Sequence, residues 1–177
     1  MAEAGPHRRT GLAGAAETLI TGWALIGGLV LLGIVAVNVL EVVTGFTRPW
    51  TGYRFAGSVE LTEMGAAVAA FCFLPYCQLT DANVTAEIFT ARASARMISV
   101  FRFVASIIAL LFGLLLLWRM SEGMSDQRDF GYSTAILDLP IWIAYVPILI
   151  SLGLLVVAAL VTLLESGAHV MTGDDAS

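Results

Sequence analysis

Lysine is absent from this chain of 177 residues: all nine basic residues are arginine, and fourteen acidic residues leave a formal net charge of −5. No basic run exists that could follow a phosphate backbone, which excludes a nucleic-acid partner. Charge of either sign is scarce. Only 13% of residues are charged, about half the roughly 25% of a soluble domain. Histidine occurs twice, as His7 and His169, both in polar terminal segments and neither with a metal-ligand neighbour. The two cysteines, Cys72 and Cys77, stand in a C-x4-C spacing inside an apolar stretch. That spacing is neither a redox pair nor a zinc pair, and two small apolar side chains is the simpler reading. Nucleophile elbows, phosphate loops and zinc motifs are also missing.

What remains is apolar. Hydrophobic residues make up 58% of the chain, and the mean hydropathy is +0.86. One core in a chain this short could not hide so much apolar surface from water, so the bilayer is the expected solvent. The pattern predicts an all-α integral membrane bundle of four tilted helices. Expected spans are about 18–44, 59–80, 97–118 and 140–164, forming one membrane domain over 18–165. A polar segment 1–17 and a tail 166–177 are expected to be disordered. Arg8-Arg9 precede an apolar stretch too long for the roughly 7–15-residue core of a cleaved signal, which predicts a retained first helix. Trp23 is expected at the headgroup level, and Gly45–Ser58, with Pro49, Trp50 and Tyr53, as a loop lying at the interface. The connection Asp81–Arg96 could hold a short interfacial helix, and Arg119–Asp138 reads as a polar connection. Pro75 and Pro147 are expected to bend their helices. Counting arginines beside the spans gives Arg8, Arg9, Arg92, Arg96 and Arg102 against Arg48, Arg54, Arg119 and Arg128. That bias predicts both termini in the cytoplasm.

The centres of all four spans lack Asp, Glu, Lys, Arg and His. A charge at mid-bilayer costs about 2.5–3.5 kcal/mol on insertion scales, and transporters retain such groups where solute or ions pass. Their absence argues against a self-contained pathway through this chain. The nearest candidates stand near the ends of the spans. Asn38 and Glu41 are one turn apart: an ion site on the functional reading, an interhelical hydrogen bond and an arginine-paired interfacial charge on the simpler one. Glu60 and Glu63 share a helix face in a first turn, where carboxylates favour the dipole. They are candidate acid–base or metal groups, but packing or partner docking is the better expectation.

Several short motifs then resemble a known family. Asn38-Val39-Leu40-Glu41-Val42-Val43 is followed by Thr47-Arg48-Pro49-Trp50, and the second segment opens as Val59-Glu60-Leu61-Thr62. Leu79-Thr80-Asp81-Ala82-Asn83-Val84-Thr85-Ala86-Glu87 and Leu139-Pro140-Ile141-Trp142-Ile143-Ala144-Tyr145-Val146-Pro147 come next in order. Together they are similar to the DctQ-like small permease subunit of tripartite ATP-independent periplasmic (TRAP) transporters. Glu41 or Val42 stands where that family often has Arg, Asn83 where it has His, and Glu87 where it has Asp.

The resemblance implies a non-enzymatic subunit of the bacterial inner membrane. It implies a large DctM-like permease as partner, which would hold the sodium and substrate sites. A periplasmic solute-binding protein would deliver the solute, often a carboxylate. No cofactor, metal or substrate site is expected in this chain. Asn38, Glu41, Arg48, Trp50, Glu60, Glu63, Asp81, Asp138, Pro140 and Trp142 are the candidates for helix packing or docking to the partner. A quinone-linked redox subunit would need paired periplasmic cysteines or histidines within the spans. A small multidrug exporter would need a carboxylate deep in the first span, which has none before Glu41. The small subunit of a tripartite tricarboxylate system differs mainly in partner.

Overall fold

The computed structural model describes residues 12–53, 55–80 and 95–172. They form four helices: α1 (Leu12–Thr51), α2 (Ser58–Leu79), α3 (Ala95–Asp129) and α4 (Trp142–Thr172). All four are long and apolar enough to cross a membrane. The expected all-α, four-helix membrane bundle is therefore the observed fold.

Packing is sequential across the bundle in the order α1–α2–α4–α3. Helix α1 packs on α2 and touches α4 only lightly, whereas α4 lies between α2 and α3. Ile148, Leu152 and Leu155 of α4 are buried between Val68 and Phe71 on one side and Leu116, Leu117 and Met120 on the other. A second cluster joins Ile20 of α1, Leu79 of α2 and Ala158 of α4. Many other apolar side chains point outward. Leu25, Leu29, Leu32 and Val35 on α1, and Ile108, Leu111 and Leu115 on α3, are exposed. A water-soluble bundle would not tolerate such surfaces, but hydrocarbon solvates them at no cost.

Close approach is set by small residues. A Cβ on Gly27 would fall 2.7 Å from the Cβ of Cys72, and one on Gly65 would fall 2.9 Å from Ile34 Cδ1. These two glycines let α1 and α2 meet backbone to side chain. Cys72 is fully buried there and Cys77 half-buried, both as free thiols.

The helices outrun the expected spans. Helical backbone already covers Leu12–Glu17, and α1 runs through Pro49 to Thr51 rather than ending at Thr44. Pro49 did not end the helix as the loop expectation required, and Thr44, Thr47 and Thr51 each donate a hydroxyl hydrogen bond to the carbonyl four residues back. At 40 residues, α1 is roughly 60 Å long, twice the roughly 30 Å of hydrocarbon. Helix α3 continues from Trp118 to Asp129, where a polar connection was expected. Ser121 and Ser125 bond back to Trp118 and Ser121 carbonyls, and Glu122, Asp126 and Asp129 lie on exposed positions. Helix α4 continues past Glu165 to Thr172, into the expected tail. Helical backbone is uninterrupted across Pro75 and Pro147. The expected short helix in Asp81–Arg96 falls mostly outside the described residues.

Candidate functional site

The best-defined polar constellation lies where α1 and α3 end and α2 and α4 begin. Gly57 precedes α2 with a left-handed φ of 99°, a conformation that favours glycine. Ser58 then starts the helix, fully buried, and its hydroxyl donates a hydrogen bond to the Glu41 carboxylate. One turn along, Asn38 Nδ2 donates to Thr62 Oγ1 at 2.9 Å and to its own helix at Ile34 O at 2.8 Å. Phe55 N donates to Thr44 Oγ1 at 3.2 Å. These contacts fix the register of α1 on α2.

The α3–α4 connection folds as a small hairpin. Ser133 and Pro140 form an antiparallel bridge. Thr134 N donates to Leu139 O at 2.9 Å and Ile141 N to Tyr132 O at 3.1 Å. Asp138, at a φ of 52°, closes the turn by accepting the Ser133 hydroxyl at 2.6 Å. Glu60 fastens this hairpin to α2. Its two carboxylate oxygens accept the backbone N–H groups of Ile136 at 2.8 Å and Leu137 at 3.0 Å. The Leu137 side chain meanwhile covers Gly57, where a Cβ would fall 2.5 Å from Leu137 Cγ.

Beside this clamp is a cleft of about 530 Å³. Glu60, Glu63, Met64, Ala67 and Phe71 form its α2 wall, Met120 marks α3, and Ala144, Tyr145 and Ile148 form the α4 floor.

Further along the bundle from this clamp stands Trp23, which was expected at the headgroup level. Its indole N–H turns inward and donates to Ser151 Oγ of α4 at 2.8 Å. Ser151 is buried, donates to Pro147 O at 2.8 Å and lies 3.6 Å from Cys72 Sγ. Side chains of α1 and α2 thus converge on a single hydroxyl of α4. Gln78 Nε2 donates to Thr162 Oγ1 at 3.4 Å, a further α2–α4 link.

The profile described as "Tripartite ATP-independent periplasmic transporters, DctQ component" matches residues 34–168. The chain belongs to the DctQ family. No curated protein and no solved structure matches it. The matched region runs from just before Asn38 to beyond Thr162, so it takes in the Asn38–Thr62 and Gln78–Thr162 contacts, while Trp23 precedes it.

As a DctQ component, this chain is a small transmembrane subunit of a TRAP transporter, a non-catalytic member of a multi-component system in the inner membrane. Among the described residues no three His, Cys, Asp or Glu side chains gather into a metal site. The residues singled out in the sequence divide into two groups. Asn38, Glu41, Glu60 and Asp138 are engaged within the chain. Pro140 closes the hairpin, its carbonyl accepting Ile143 N at 3.2 Å. Trp142 carries the Arg128 guanidinium 5.9 Å above its ring. Arg48, Trp50 and Glu63 remain exposed. Trp50 packs only on Phe46, with ring centroids 5.8 Å apart. Asp81 lies outside the described residues. Sequence reasoning did not single out Ser58, Thr62, Ser151 or Thr162; the available signal was a hydroxyl placed within or at the edge of an apolar span, where it must find a partner.

Proposed function

We propose that this DctQ chain scaffolds a large, sodium-coupled DctM-like permease during uptake of a carboxylate-type solute. A periplasmic binding protein delivers the solute, and sodium and solute bind in the large subunit. Both termini lie in the cytoplasm, so the hairpin and the α1–α2 loop face the periplasm, where a binding protein could meet them. The carrying observation is the family match over spans whose middles hold no Asp, Glu, Lys, Arg or His. Such helices offer lipid-facing and partner-facing surface but nothing to carry a charged solute through the bilayer. Arg48, Trp50 and Glu63, exposed at this end, are the docking candidates; the other described candidates hold the bundle in shape.

Reconstitution tests the reading. Liposomes receive this chain, the large subunit, or both, with the binding protein and an inward sodium gradient. Uptake is expected only with both. Uptake by this chain alone, or full uptake without it, overturns the scaffold role. A reporter enzyme active only in the periplasm, inserted at Gly131, should be active; an inactive fusion reverses the topology.

A further inference from the structure

The cleft between α2 and α3 differs from the rest of the lipid-exposed surface. The outer faces of α1 and α3 are convex and apolar, as lipid chains require. The cleft is concave, has apolar walls of Met64, Phe71, Met120 and Ile148, and carries an unpaired carboxylate in its lining. That carboxylate is Glu63. Its neighbour Glu60 is committed to the hairpin amides. Glu63, one turn on, is exposed and makes no hydrogen bond or ion pair among the described residues. A carboxylate beside apolar walls and without a cation is unfavourable once water is excluded, so whatever covers the cleft must supply positive charge.

We infer that the cleft receives one face of a helix from the large permease subunit, with an arginine or lysine of that helix paired to Glu63. This rests on the reading of the chain as the scaffold of such a subunit. The geometry favours a protein side chain over a lipid amine. A lipid needs only apolar area and finds it on the outer faces of α1 and α3, whereas a carboxylate beside a concave apolar wall selects a partner that offers both a fitting shape and a cation. Glu60 to Phe71 spans about three turns, roughly 16 Å, long enough to seat successive side chains of a crossing helix. The alanines keep the surface low: Ala67 is exposed on the α2 wall and Ala144 is buried in the floor, which allows close approach. A long basic side chain would lay its stem along Met64 and Phe71 and present its charge to Glu63.

Cross-linking in the intact complex tests this. A photo-reactive residue is placed at Ala67, with one at the exposed Leu32 on α1 as control, and the large subunit is co-expressed. The expected result is capture of the large subunit from position 67. Ala67→Trp, filling the cleft, and Glu63→Arg should each reduce recovered complex at least about tenfold. The variant chains alone should elute from detergent as wild type does, since both positions are exposed. Capture of only lipid or a second copy from position 67 overturns the inference. Capture of the large subunit from position 32 but not 67 does so too, as does wild-type recovery with Glu63→Arg. In those cases the complex survives and the scaffold reading stands. Failure of the wild-type chain to co-purify with any large subunit removes both.

Discussion

Gly57→Ala is the sharpest test of how the α1–α2 turn and the α3–α4 hairpin are joined. Two independent penalties meet at this residue. Its φ of 99° lies in the left-handed region, where an L side chain costs roughly 1–2 kcal/mol. The new methyl would also fall within 2.5–2.8 Å of three Leu137 side-chain atoms. The Leu137 backbone cannot retreat freely, because its N–H is held by Glu60 at 3.0 Å, so relief needs a change of side-chain rotamer. Overpacking of this kind costs about 1–3 kcal/mol, for a total of about 2–5 kcal/mol. Stability is read from reversible unfolding in mixed micelles as the denaturing detergent fraction rises. The double variant Gly57→Ala, Leu137→Ala removes the clash but leaves the backbone strain. A coupling of about 1–3 kcal/mol between the two substitutions is therefore expected. A Gly57→Ala chain within about 0.5 kcal/mol of wild type, or strictly additive single effects, would refute the account.

Other outcomes rest on the same contacts. Trp23→Phe and Ser151→Ala should be non-additive, with a coupling near the roughly 0.6 kcal/mol average for interhelical hydrogen bonds in lipid and below about 1.7; a zero coupling would mean the indole bond is not made. Glu60→Gln should raise hydrogen exchange at the Ile136 and Leu137 amides while leaving Thr134 N–H, which is bonded to Leu139 O, close to wild type. Gly27→Leu should pry α1 from α2, since even a Cβ there meets Cys72 at 2.7 Å. Protease or thermal sensitivity should then rise far more than for Gly28→Leu, where a Cβ meets nothing within 4 Å.

The number of helices and their apolar cores were legible because lipid demands long uncharged runs, and four such runs stand out. Helix ends were less legible. A bilayer-length rule stops at the first charge, as at Glu41 or Arg119, but backbone hydrogen bonding does not. Once in water or at the interface, α1 and α3 continue because their backbone hydrogen bonds run on unbroken, while threonine and serine hydroxyls are satisfied on their own helix and the acidic residues of α3 fit a solvated face. The true stops come later, at Gly52 and Gly131, both at positive φ. Asn38 was legible as an interhelical donor, but its acceptor Thr62 was not, because register between helices is a tertiary property. The partner of Trp23 was illegible for a related reason: an indole near a helix start carries no sign of the hydroxyl it meets, and Ser151 stands 128 residues further along the chain. Glu60 stood out by its charge, while its partners, two backbone amides on a distant hairpin, leave no mark in sequence.

The position of α4 between α2 and α3 has a consequence for biosynthesis. Chain order and spatial order disagree: the helix made last occupies an interior place, while α3, made before it, lies at an edge. Until Trp142 and the rest of α4 leave the ribosome, α3 lacks its principal neighbour, and α2 has only α1. The nascent product is then a hairpin and a solitary span, able to drift apart in the bilayer. Arrival of the final segment unites them, because Leu152 and its neighbours are the surface that both halves share. Chains truncated before that point should accordingly be cleared by membrane proteases, whereas loss of the first span would leave the remaining three able to assemble.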